Sequence, residues 1–125
     1  MAVIQKKLRL VGSKGERELI ALFDSGATYS CIDRELAGEL ENFVPLPKPL
    51  MLETAQKGTV VEVRERVVLD FHMDGYRFSD EFMVIPGLSE KLIIGAKTMQ
   101  AWRFKLDFEA EEVIIDPRVT KLRLL

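Results

Sequence analysis

Leu22-Phe23-Asp24-Ser25-Gly26-Ala27-Thr28 is an apolar run that stops abruptly on a carboxylate, a hydroxyl and a glycine. Residues 17–23 ahead of it read as a buried strand, which puts Asp24 at the rim of a core where desolvation is partial. Gly26 allows the backbone to turn sharply. Ser25 and Thr28 carry hydroxyls that reach nearby main chain, which holds the loop in one geometry and aims the Asp24 carboxylate outward. Taken alone, Asp-Ser-Gly is a turn after a strand, because those three residues are preferred in turns.

Three further stretches change that reading. A strand-turn-strand pattern spans residues 50–63 around Ala55-Gln56-Lys57-Gly58, and Phe82-Met83-Val84-Ile85-Pro86 reads as a core strand. Leu92-Ile93-Ile94-Gly95-Ala96 then leads into a short helix over residues 97–102. In this order, over roughly residues 19–115, the chain resembles the retropepsin-like (retroviral-type) aspartic proteases. The resemblance implies an all-β, closed or partly open acid-protease barrel with one or two short helices. It implies that Asp24 is the catalytic carboxylate and that Ser25, Gly26, Ala27 and Thr28 form the active-site loop. Ala55, Gln56, Lys57 and Gly58 would be a flap tip over the substrate, where the charged Lys57 departs from the commoner pattern. Ile93, Ile94 and Gly95 would support the loop from behind, and no cofactor or metal is required. Terminal strands of two subunits interleave in this family, which makes the apolar Leu122-Arg123-Leu124-Leu125 a candidate for that role; an edge strand of the same subunit is the alternative.

At 125 residues the chain is expected to be one domain, 1–125, about half of what a two-lobed aspartic protease needs. Asp24 is the one acidic residue in a Ser/Thr-Gly context. Peptide hydrolysis by this class uses two carboxylates sharing a proton, one as base toward water and the other as acid toward the carbonyl oxygen. The second must then come from another chain, so a homodimer with a protein or peptide substrate is expected. The 20 acidic residues nearly balance the 18 basic ones, leaving −2. That charge gives no footprint for nucleic acid and no polybasic membrane anchor. Cys31 is the only cysteine and residues 1–7 lack a signal-peptide core, so a soluble, cytoplasmic protein is expected.

Along the chain, residues 3–11 and 17–23 form a hairpin around Gly12-Ser13-Lys14-Gly15 that delivers Asp24. Asp33 is a candidate N-cap for a helix over residues 34–41. Pro45, Pro47 and Pro49 predict a rigid, extended connection. Val61, Val63 and, after an expected bulge, Val67, Leu69 and Phe71 alternate with Glu62, Arg64, Arg66, Val68 and Asp70, and Asp74-Gly75 marks a tight hairpin to a strand over residues 76–85. Residues 103–108 and 112–115 suggest another hairpin, and Pro117 separates it from a final strand over residues 119–125. A faint echo relates Leu22-Phe23 before Gly26-Ala27-Thr28 to Ile93-Ile94 before Gly95-Ala96-Lys97-Thr98.

Other chemistries have weaker support. His72 and Cys31 would make a nucleophilic pair only with a third, orienting residue that the sequence does not offer. One Cys and one His do not complete a zinc site without several carboxylates. The alternative of a different class is a non-catalytic homodimeric peptide-binding or interaction module with the same fold. A nucleic-acid-binding barrel lacks its basic stripe.

Overall fold

Residues 3–53 and 59–121 are described by a computed structural model. β1 (Val3–Gly12) and β2 (Gly15–Asp24) form the expected antiparallel hairpin, in register from Gly12 opposite Gly15 to Val3 opposite Asp24. The turn between them is tied to the first helix: Lys14 N–H donates to Leu40 O at 3.0 Å, and Glu41 accepts from the Ser13 amide and hydroxyl. β3 (Cys31–Asp33) leads into α1 (Arg34–Leu40), where Asp33 is the N-cap and accepts the Leu36 amide. Leu36, Ala37 and Leu40 are the buried side of that helix, as i, i+4 spacing requires.

The proline-bearing stretch is a strand, β4 (Val44–Glu53), where a connection was expected. It pairs antiparallel with β5 (Val60–Met73), but five steps along β4 from Pro45 to Leu50 answer only two along β5 from Glu65 to Val63. Proline has no N–H for a ladder, so the strand bulges where Pro47 and Pro49 lie. The bulge expected within β5 is therefore in its partner. In β5 itself Val63, Val67, Leu69, Phe71 and Met73 are all buried and share one parity, but the run is interrupted at the half-buried Glu65: Val63 packs in a cluster of its own, whereas Val67, Leu69, Phe71 and Met73 pack in the main core.

Asp74 at φ 52° and Gly75 at φ 81° close a two-residue turn into β6 (Tyr76–Ile85), with both central residues in the left-handed region that a type I′ hairpin demands. β7 (Leu92–Ile94) and α2 (Ala96–Trp102) follow, then a small hairpin of β8 (Lys105–Asp107) and β9 (Glu112–Ile114). Pro117–Thr120 form a 3-10 helix, where the final strand was expected to begin. The apolar end, Leu122 to Leu125, lies outside the described residues, as does the expected flap tip at residues 54–58.

The strands run β1-β2-β7-β3-β6-β5, and β5 returns to β1 through Arg9–His72, Leu10–Phe71 and Val11–Asp70, closing a six-strand barrel with β4 beyond it. The architecture is mostly β with two short helices, as the sequence predicts. Its core is aromatic at the centre: Phe78 meets Phe104 edge-on at 4.8 Å and stacks on Phe71 at 5.3 Å. Phe23, the residue before Asp24, is fully buried against the same Phe104.

Candidate active site

Asp24 is the last residue of β2 and is 8 % exposed, so the barrel fixes its backbone while its carboxylate stays at the rim. Oδ1 accepts the Gly26 N–H at 2.9 Å, and Asp24 O accepts the Ala27 N–H at 3.1 Å. The chain thus folds back on the carboxylate within two residues, a side-chain turn that Asp favours. Ser25 and Gly26 are exposed, Ala27 is half-buried and Thr28 is exposed.

The loop rests on the segment predicted to lie behind it. β2 and β7 run parallel with Leu22 opposite Ile93 and Phe23 opposite Ile94, so the two halves of the faint echo lie side by side in matching register. Beyond β7, Ala96 N–H donates to Ala27 O at 2.7 Å and Lys97 N–H to Thr28 O at 3.0 Å. A Cβ on Gly95 would stand 2.5 Å from Tyr29 O and 3.0 Å from Ala27 O. Only glycine permits that approach. Ile94 is buried in the main core, whereas the half-buried Ile93 faces a second cluster. The period of two separates their roles.

That second cluster is built on Cys31, Val63 and Met83, with Tyr29, Leu46, Leu50, Leu52, Val61, Ile85 and Leu88 packed around it. It joins the outer end of the Asp24 loop to the β4–β5 hairpin, whose last pair among the described residues is Glu53 with Val60. The hairpin expected to carry Ala55, Gln56, Lys57 and Gly58 is present, with those four residues outside the described set.

Two residues absent from the sequence-level site stand directly behind the loop. Ser30 Oγ accepts the Gly95 N–H at 3.0 Å and lies 2.5 Å from Thr98 Oγ1; the two residues are 3 % and 2 % exposed. Thr98 appears in the internal echo, which is the one signal that could have pointed to it.

Cys31 and His72 are not brought together. Cys31 pairs with Met83 and Met83 with Arg66, which places His72 six residues further along β5, about 20 Å away. Burial pushes the Cys31 thiol up to about 11, so the group is a neutral, apolar-packed thiol. Among the described residues no group of three His, Cys, Asp or Glu is placed to hold a metal ion, and no helix is long and apolar enough to cross a membrane.

No family model matches the chain, and no curated protein matches it. Solved structures do. The retroviral protease-like domain of Ddi1 from Leishmania major superposes with a TM-score of 0.64 at 18 % identity, over 94 % of this chain and 91 % of that one. The EIAV protease in complex with the inhibitor HBY-793 gives 0.55 at 18 % identity, over 82 % of this chain and 90 % of that one. The chain has a retropepsin-like fold.

Proposed function

We propose that the protein is an aspartic endopeptidase whose catalytic unit is a homodimer, with Asp24 of each chain meeting on the twofold axis. The observation that carries this reading is the placement of one carboxylate, and only one, in a loop clamped from behind. The partner half of the internal echo puts Gly95-Ala96 where the first half has its Asp-Ser-Gly, so it supplies no second acid. In the dimer one Asp24 accepts a proton from water while the other, protonated, donates to the carbonyl oxygen of the scissile bond. The Gly26 N–H bond to Oδ1 leaves the other carboxylate oxygen for water or substrate. The substrate lies extended between this dyad and the β4–β5 hairpin, whose tip, residues 55–58, closes over it.

The test is cleavage of a mixed peptide library at acidic and neutral pH by the wild-type protein and by Asp24→Asn, with sedimentation of both. Cleavage on the acidic side by a dimeric wild type, abolished in the variant, is expected. A dimer that binds peptides without cutting them would establish the non-catalytic module instead. A monomer of about 14 kDa at every concentration would remove the shared site.

A further inference from the structure

The first turn of α2 is satisfied almost wholly from outside the helix. Its N-cap, Gly95, makes no side-chain cap, and an uncapped helix start leaves amides without partners. The active-site loop takes them: Gly95 N–H goes to Ser30 Oγ, Ala96 N–H to Ala27 O and Lys97 N–H to Thr28 O. In a capping box the side chain at the third helical position reaches back to the N-cap amide. Thr98 holds that position, and its hydroxyl is shorter than the Glu or Gln that usually spans the gap. Ser30 Oγ stands in the gap, bonded to Gly95 N–H on one side and to Thr98 Oγ1 on the other. The box is thus closed by a residue 65 positions away in sequence.

We propose that the buried Ser30–Thr98 hydroxyl pair is a positioning device for the Asp24 loop, fixing its far end to α2 so that the carboxylate is held in one geometry before any second chain arrives. Its catalytic meaning rests on the endopeptidase reading; its structural meaning does not. β2 fixes the loop at Asp24, and the pair fixes it at Ser30. Ser30 is also held through its main chain, since its carbonyl accepts the Met83 N–H at 2.8 Å. Loss of the hydroxyl therefore leaves the backbone anchored to β6 and the barrel intact. The bond that seats Gly95 under the loop is lost, and with it the alignment of Ala27 O and Thr28 O toward the next two amides. Neither Ser30 nor Thr98 touches substrate in this arrangement. Both are positioning residues.

The experiment compares wild type with Ser30→Ala, Thr98→Val and Thr98→Ser by amide hydrogen exchange and, on any peptide the wild type cuts, by kcat and KM. Ser30→Ala and Thr98→Val should speed exchange at Gly95, Ala96 and Lys97 by about tenfold or more, the effect of one lost buried hydrogen bond. Amides of Phe71 and Phe82 in the core strands should not change, and Thr98→Ser should match wild type. Unchanged loop amides, equal acceleration in the core, or a Thr98→Ser protein as fast as Thr98→Val would each overturn the proposal. In turnover, kcat should fall about tenfold at unchanged KM and return in Thr98→Ser. A wild-type kcat in Thr98→Val would overturn it as well. A wild-type protein that cuts nothing would instead refute the endopeptidase reading, leaving the exchange rates to decide the device.

Discussion

Gly95→Ala should damage the candidate site although it adds a single methyl group. A Cβ there would sit 2.5 Å from Tyr29 O and 2.6 Å from Tyr29 C, both backbone atoms, whereas carbon and carbonyl oxygen normally keep about 3.3 Å. Main chain cannot rotate aside, so the loop and α2 must separate by about 0.8 Å, the shortfall in that contact. The Ala96–Ala27 and Lys97–Thr28 bonds, 2.7 and 3.0 Å long, lie across the same gap and stretch with it. Two weakened hydrogen bonds at about 0.5–1.5 kcal/mol each, added to about 1–3 kcal/mol of overpacking, give a loss of about 2–6 kcal/mol. In urea titration, with a slope of about 1.5 kcal/mol per molar, the midpoint should fall by about 1.3–4 M. Gly38→Ala is the control of opposite sign. Its Cβ would meet only Phe43 Cζ at 3.7 Å, an ordinary contact, and alanine in a helix gains about 0.5–1 kcal/mol over glycine. A Gly95→Ala midpoint equal to wild type would show that the loop is not seated on Gly95 as described.

Asp33→Ala should cost about 2–3 kcal/mol in the same titration, because the buried carboxylate accepts from Leu36 N–H and Leu88 N–H and faces Lys91 Nζ at 3.6 Å; a change within 0.5 kcal/mol, roughly the scatter of surface substitutions, would contradict that role. The Cys31 thiol is pushed up to about 11 by burial, so the folded state holds its proton more tightly than the unfolded chain. Stability from this source is fully present below the ordinary thiol value and is lost as pH rises toward 11; Cys31→Ala should flatten that alkaline decline, and an identical decline in both proteins would refute it. The Ser13 hydroxyl and amide hold the Glu41 carboxyl below its ordinary value, which adds stability above that value and loses it as pH falls through the lowered one. Ser13→Ala should weaken this acid dependence, measured as the difference in urea midpoint between pH 6 and pH 3.

Much of this arrangement is legible in the sequence because local chemistry and global fold agree. The hairpin delivering Asp24, the Asp33 cap, the Asp74-Gly75 turn and the short helix after Gly95 are each set by a few adjacent residues. The proline stretch departs from expectation because proline argues against a ladder bond and says less about strand conformation: φ near −65° is compatible with an edge strand that bulges. Pro47 and Pro49 lie in that bulge, and Leu50, Met51, Leu52 and Glu53 resume pairing beyond it. The Val61 and Val67 groups of β5 do pack against different clusters, as separate runs would, yet they share one parity, so the change of neighbours occurs without an extra residue in β5. Pro117, expected as a spacer before a strand, instead begins a 3-10 helix capped by Asp116. Ser30 and Thr98 are hidden for a different reason. Each is an ordinary hydroxyl in sequence, and only closure of the barrel sets them 2.5 Å apart.

The echo between the two halves explains why the site is legible at its front and not at its back. Leu22-Phe23 and Ile93-Ile94 lie in matching parallel register, yet the segments that continue from them do different jobs. After Phe23 the chain presents a carboxylate and turns back on it through the Gly26 amide. After Ile94 it presents no side chain at all, approaches the first loop to a distance only glycine allows, and begins a helix whose first amides are the loop's hydrogen-bond donors. One half is built to be seen, and its polar residues announce it; the other is built to fit, and glycine and alanine announce little. The asymmetry also decides the count of acids. A chain whose second half uses its loop to hold the first has one carboxylate to offer, so in the proposed enzyme the support is supplied within each subunit and the dyad between them.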